Sequence, residues 1–427
     1  MKKILTNLLI ISIIILFFLR LFNNNLYIIY KNYINYICIL SVIISSTYFT
    51  IKLKGINFNL KIIKETIINS KKEDIKALFL SMGAKIGVGS IAGISISIYL
   101  YGPGILLWIW IITLLSSILT YCETYLGCIY NNKGVFYYIK EGINNNRLAI
   151  TYTLLLLFIY EVGFVGIQTN TIYKSISKLN IINDKLLIIV IMLVIILLLF
   201  NKTNKIINII SRIVPLMCII YIIACIPLLL KINNIIEIFK EILLDGLQNN
   251  SLSKIIIVGL QRGIFATESG IGTSSITTNI SKSNPQKQGL FQVLGVHFIS
   301  LVIITITGLI IISNKNMYQV KIDGIEILMK ILSNYYGIKG NIILCIVILL
   351  FALSTILSSY YYSQKGIKFI YNKKEYDSNF IKIIIIIFSF LGMIIKSSII
   401  WSILDSLIIF LLLINIYSMI KLREKIR

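Results

Sequence analysis

The sequence predicts an all-α polytopic membrane protein, arranged as five-plus-five inverted helices with one or two extra N-terminal helices. Three observations lead there. Of the 427 residues, 57% are apolar and only 14% are charged, a balance that makes the bilayer the natural solvent. Apolar runs long enough to cross roughly 30 Å of hydrocarbon recur from end to end. Two of these runs, about 180 residues apart, are interrupted by glycines.

In chain order the apolar runs are 5–19, 27–52, 74–101, 104–130, 149–179, 185–200, 206–231, 253–280, 287–314, 339–370, 379–396 and 398–420. No gap between them is long enough for a soluble domain. The run 5–19 follows Lys2 and Lys3 but lacks a clear small-residue cleavage site, so it reads as an extra span or an interfacial helix. Residues 1–73 then form the N-terminal helices and a basic loop. Residues 74–231 and 253–420 each hold five runs, and 421–427 is a basic tail. An odd number of spans per half places the halves in opposite orientations.

The net charge of +24 could point to nucleic acid, but the basic residues lie in short loops between spans. That is the positive-inside pattern. The loop 52–76, with seven lysines, and the tail KLREKIR are therefore expected in the cytoplasm, in a plasma-membrane protein with no nucleic-acid partner. All six cysteines fall inside apolar runs, with neither disulfide nor metal spacing. They are expected to be small packing residues.

The interruptions carry the functional signal. Lys85–Gly104 reads KIGVGSIAGISISIYLYGPG, with five glycines and a proline, and 259–275 reads GLQRGIFATESGIGTSS. Interior glycine weakens a helix by about 1 kcal/mol relative to alanine. A broken helix in lipid also exposes backbone groups that need partners. Glycines at GxxxG spacing, such as Gly89 and Gly93, can instead serve helix packing. Two breaks at matching places in two five-span halves favour a midplane site of the secondary-transporter type. Free amides there suit a carboxylate, and free carbonyls suit Na⁺.

Further motifs give the reading its family. KIGVGSIAG and YGPGILLWIW, TYCE (120–123), GVFYYIKEG (134–142), GIQTN (166–170), RIVPLM (212–217), RGIFATESGIGTSS, KQGLFQVLGV (287–296), FALSTILSSYYYSQKG (351–366) and WSILD (401–405) follow one another in order. Together they resemble the alanine or glycine:cation symporters, also called sodium:alanine symporters, over nearly everything after residue 40. The resemblance implies a leucine-transporter-type fold and Na⁺-driven uptake of alanine or glycine. It implies no catalytic residues and no organic cofactor, so the chain is not expected to be an enzyme. The backbone of Gly87, Val88, Gly89 and Ser90 would face the substrate carboxylate. Gln168, Phe265, Ala266 and Thr267 would complete the pocket. Na⁺ would sit among the carbonyls of Gly83, Ile86 and Phe351 and the hydroxyls of Ser354 and Thr355.

Three positions depart from the family pattern. Ser90 and Thr267 each replace an Asn, and Ile299 replaces an Asp. They keep open the same fold with H⁺ coupling or another small amino acid, and a separate alternative is a sensor that binds without transporting. Ionisable residues in spans are costly, so Lys85, Arg262, Glu123, Glu161, Glu268 and Asp405 are expected to pair with one another or with freed backbone. Glu268 is the expected anchor of the second break. His297 is expected to pack, and Tyr360–Tyr362 to form an interfacial aromatic belt.

Overall fold

The computed structural model describes residues 11–13, 24–249, 251–317, 323–372 and 379–427. Most of the run 5–19 lies outside the described residues. Among the described residues there is no strand. α1 (Asn24–Lys52) is the N-terminal apolar helix, and α2 (Leu60–Ile68) is a short helix within the basic loop.

The first five-run segment opens with α3 (Lys72–Lys85) and α4 (Ala92–Tyr101), which meet at a 66° bend. It continues with α5 (Ile105–Ile129), α6 (Asn146–Ser177), α7 (Asp184–Leu199) and α8 (Thr203–Leu230). Asparagines set several starts: Asn145 caps α6 by accepting from the Leu148 amide at 3.0 Å, and Asn183 caps α7 through the Lys185 amide at 3.0 Å. The loop to the second segment contains α9 (Ile235–Gln248), an amphipathic helix with no counterpart among the expected spans.

The second segment opens on the second break. α10 (Leu252–Thr267) stops at Glu268, whose φ of 51° is left-handed, and a 3-10 turn (Thr273–Asn279) follows. Next come α11 (Pro285–Ser313), the amphipathic α12 (Gly324–Tyr336), α13 (Ile338–Tyr371), α14 (Asn379–Ile394) and α15 (Ser397–Lys421). Pro285 at the first turn of α11, with the Asn284 side chain capping Lys287 N at 2.8 Å, makes a clean start.

α5 packs along α10 and α11, α13 along α8, α3 and α6, and α14 along α6. Glycine makes the closest of these approaches possible. A Cβ on Gly263 would lie 2.4 Å from Ile112, and one on Gly392 2.5 Å from the Gly166 carbonyl. Isoleucines and leucines on the outer faces stay exposed, such as Ile189, Leu193 and Leu197 on α7 and Leu216, Ile219 and Ile223 on α8. An apolar exterior around a polar, glycine-lined interior is what lipid demands. The protein is a polytopic helical membrane protein.

Three expectations about side chains are revised or sharpened. Tyr360, Tyr361 and Tyr362 are almost wholly buried, so they are core residues and not an interfacial belt. They lie in the C-terminal half of α13, within the stretch 351–364 that neighbouring helices bury. The basic tail is docked: the Tyr121 hydroxyl donates to the Arg427 carbonyl at 2.8 Å, and Ile426 is buried. The six cysteines are all buried and free.

Candidate functional site

The two breaks face each other in the middle of the molecule. A narrow cavity of about 10 Å³ lies between them, lined by Lys85, Gly87 and Gly89 from the first break and by Phe265 and Ala266 from the second. Gln168 and Phe164 on α6 and Trp401 on α15 close the remaining sides. Five of the expected substrate residues, Gly87, Gly89, Gln168, Phe265 and Ala266, therefore share one cavity. Gly87 cannot carry a side chain here, because a Cβ would fall 2.5 Å from Gln168 Nε2 and 2.8 Å from Thr355 Oγ1. The Val88 amide donates to Gln168 Oε1 at 3.2 Å, so an amide oxygen already occupies that donor.

Ser90 and Thr267 behave differently from the expectation. The Ser90 hydroxyl donates to the Lys85 carbonyl at 3.2 Å, and that of Thr267 to the Gly263 carbonyl at 2.9 Å. Both satisfy the backbone of their own breaks, and neither lines the cavity. The hydroxyl that remains where the family carries an amide thus works as a local clasp.

On the far side of the first break, oxygens converge. The Gly83 carbonyl accepts from both Ser354 Oγ (3.2 Å) and Thr355 Oγ1 (3.0 Å). The same two hydroxyls reach the Phe351 carbonyl at 2.8 and 3.1 Å. Four of the five expected cation ligands meet here. Ile86, the fifth, is the fully buried C-cap residue of α3. Gly83 is pinned by close neighbours, since a Cβ would come within 2.9 Å of both Ile210 and the Ser358 hydroxyl.

With both places described, the comparison with known proteins decides the family. The sodium:alanine symporter family matches residues 20–427. The chain belongs to that family. It is 28% identical over 393 residues to the amino-acid carrier protein AlsT of Bacillus subtilis, covering 86% of this chain and 83% of the relative. It is 26% identical over 399 residues to the probable sodium/glutamine symporter GlnT of the same organism, covering 88% and 83%. The sodium/alanine symporter AgcS of Methanococcus maripaludis is 24% identical over 361 residues, covering 78% of each chain. This member of the sodium:alanine symporter family is accordingly a membrane transporter and not an enzyme.

Charges in this symporter-family chain hold the breaks open. Glu123 on α5 accepts from the Gly272 amide at 2.8 Å, the Ser274 amide at 3.2 Å and Asn415 Nδ2 at 3.1 Å. It supplies the acceptors that the interrupted α10 lacks. Lys85 reaches across from the first break and donates to Ser274 Oγ at 2.8 Å. Glu268 accepts from Thr273 Oγ1 at 2.8 Å. Arg262 does not pair with Glu268. Its guanidinium lies 3.5 Å from Asp405 and stacks 5.0 Å above the Trp401 ring. His297 is half-buried against Phe58, as expected of a packing residue.

Sequence reasoning missed Phe164 and Trp401. Phe164 stacks on Phe265 at 5.0 Å, and Trp401 leans on it at 4.9 Å. Trp401 also lines a second, larger cavity, with Gly93, Asn170, Lys174, Arg262 and Asp405. Its indole therefore separates the small central cavity from this larger vestibule. WSILD carried the signal, since its Trp and Asp lie four residues apart on one helix face.

Proposed function

We propose that the protein imports a small neutral amino acid, alanine or glycine, together with Na⁺ by alternating access. The supporting observation is that one short segment, 83–89, contributes to both candidate sites. Its start gives the Gly83 carbonyl to the Ser354 and Thr355 hydroxyls. Its end places Gly87 and Gly89 against Gln168 and Phe265. Neutral oxygens suit a hard monovalent cation.

In this reading the Gln168 oxygen on the Val88 amide stands where a substrate carboxylate oxygen would bind, and Gln168 turns aside to let it in. Phe164, Phe265 and Trp401 crowd one side of the cavity, an arrangement suited to a small side chain. Cation binding at Gly83 orders the segment that then receives the substrate, and the two affinities are linked reciprocally. The two five-helix segments, 74–231 and 253–420, act as inverted repeats around the fixed site. The protein resides in the plasma membrane with its C-terminus in the cytoplasm, so the Trp401 vestibule faces outward.

The test is uptake of labelled alanine and glycine into proteoliposomes with an inward Na⁺ gradient, repeated with K⁺ in its place. Concentrative uptake with Na⁺ alone supports the reading. Saturable binding with no accumulation would turn it into a sensor, and equal uptake in K⁺ would remove Na⁺ from the mechanism.

A further inference from the structure

The buried charges beside the second break do not balance. Lys85 from α3 brings one ammonium, while Glu123 from α5 and Glu268 at the end of α10 bring two carboxylates. Glu123 and Glu268 are fully buried, Lys85 is 3% exposed, and the lysine interacts electrostatically with both acids. Glu123 is saturated by two amides and Asn415. Glu268 is not. Its Oε2 accepts from Thr273, and beyond that the Tyr160 hydroxyl is the hydrogen-bonding neighbour of its carboxylate.

The same neighbourhood holds further buried hydroxyls, those of Tyr160 on α6, Tyr362 on α13 and Ser81 on α3. The rings of Tyr160 and Tyr362 meet edge to face at 5.4 Å, and both hydroxyls feel the Glu268 carboxylate. Ser81 lies beside Tyr362. Two carboxylates against one ammonium leave a surplus negative charge in a dry interior, and burying that charge is costly. A proton resolves it without needing room.

We propose that Glu268 is a proton-binding site, in which a proton on Oε1 removes the surplus negative charge and is shared with the Tyr160 or Tyr362 hydroxyl. The proton comes from water and returns to water when the break opens, and no other bond changes. The remaining ionisable groups facing Glu268 are committed elsewhere. Lys85 donates to Ser274, Glu123 is saturated, and the Tyr152 hydroxyl donates to the Ile271 carbonyl at 2.6 Å. Glu268 also sits on the hinge itself, with φ of 51°, so protonation and the geometry of the break are tied together. Glu161, a second buried acid, lies on the π-helical stretch Ile159–Phe164 of α6, where Ser363 hydrogen-bonds it, and belongs to neither break. The inference stands on this charge count and not on the identity of the transported amino acid or cation.

Infrared difference spectroscopy on the full-length protein reads the proton directly, as the carbonyl stretch of a protonated carboxylic acid at neutral pH. The band should vanish in Glu268→Gln and persist in Glu161→Gln. A band unchanged in Glu268→Gln overturns the proposal. Should that variant fail to fold, Tyr160→Phe and Tyr362→Phe take its place, and at least one must shift the band. A band unmoved in both also overturns it. In proteoliposomes at fixed Na⁺, an inward acid gradient should raise wild-type alanine uptake several-fold and leave Glu268→Gln uptake unaffected. An equal response in the variant would contradict the proposal, whereas absence of all uptake with the band intact would count against the transport reading alone.

Discussion

Gly87 and Thr355 are where a single atom decides most. An added methyl at Gly87 would collide with Gln168 and Thr355 together, so Gly87→Ala should abolish alanine binding and weaken Na⁺ binding in the same protein. Isothermal titration reads both, and an unchanged alanine affinity would contradict the assignment. Thr355→Val keeps the shape but removes one of two hydroxyls on the Gly83 carbonyl. A hydrogen-bonding oxygen contributes about 1 kcal/mol net, and more toward a charge, so Na⁺ affinity should fall about tenfold or more. That Gly87, Gly89, Gln168 and Phe265 share one cavity and that the Ser-Thr pair meets Gly83 was legible in the sequence because their motifs stay in order. Phe164 and Trp401 were not. An aromatic residue in an apolar helix reads the same whether it faces lipid or a cavity. The Tyr360–Tyr362 run misled for a related reason, since nothing in a local pattern tells an interface from a core crossed by neighbouring helices.

Helix ends and breaks set the next scale. Each apolar run from 27–52 onward has a helix in its place, because span length and apolar content are local properties. The amphipathic α9 and α12 were not foreseen, since their apolar faces pack on other segments and add little to a span-length average. The breaks were foreseen from glycine, yet what satisfies them is distant in sequence. Glu123 lies about 150 residues from the two amides it accepts from. Glu123→Ala would leave those amides without an acceptor and take a nearby counter-charge from Lys85 in a buried setting. A loss of about 3 kcal/mol is expected for such a broken buried network, read as a lowered midpoint of thermal unfolding in detergent. A midpoint equal to wild type would mean that the break holds itself. Arg262 and Asp405 join α10 to α15 beside Trp401. Asp405→Asn should loosen this contact and speed substrate release toward the vestibule, seen as a faster off-rate.

Across the whole molecule, the central cavity connects the two halves and the vestibule marks one end. The opposite end carries another cavity, lined by Lys76, Asn204, Asn279, Tyr361 and Lys365. The proposed orientation puts that end in the cytoplasm, as the basic loops require. Because the six native cysteines are buried, a single added thiol can be read above a low background. An impermeant thiol reagent applied to intact cells should label Ser398→Cys in the vestibule and spare Asn204→Cys. The reverse pattern would invert the orientation. The central claim is that cation and substrate share the segment 83–89, and its most direct test is linkage. Na⁺ affinity should be measured with and without saturating alanine, and alanine affinity with and without saturating Na⁺, in wild type and in Thr355→Val. The account predicts the same factor of enhancement in both directions in wild type, and its collapse toward one in the variant. Affinities that are independent of each other in wild type would contradict it.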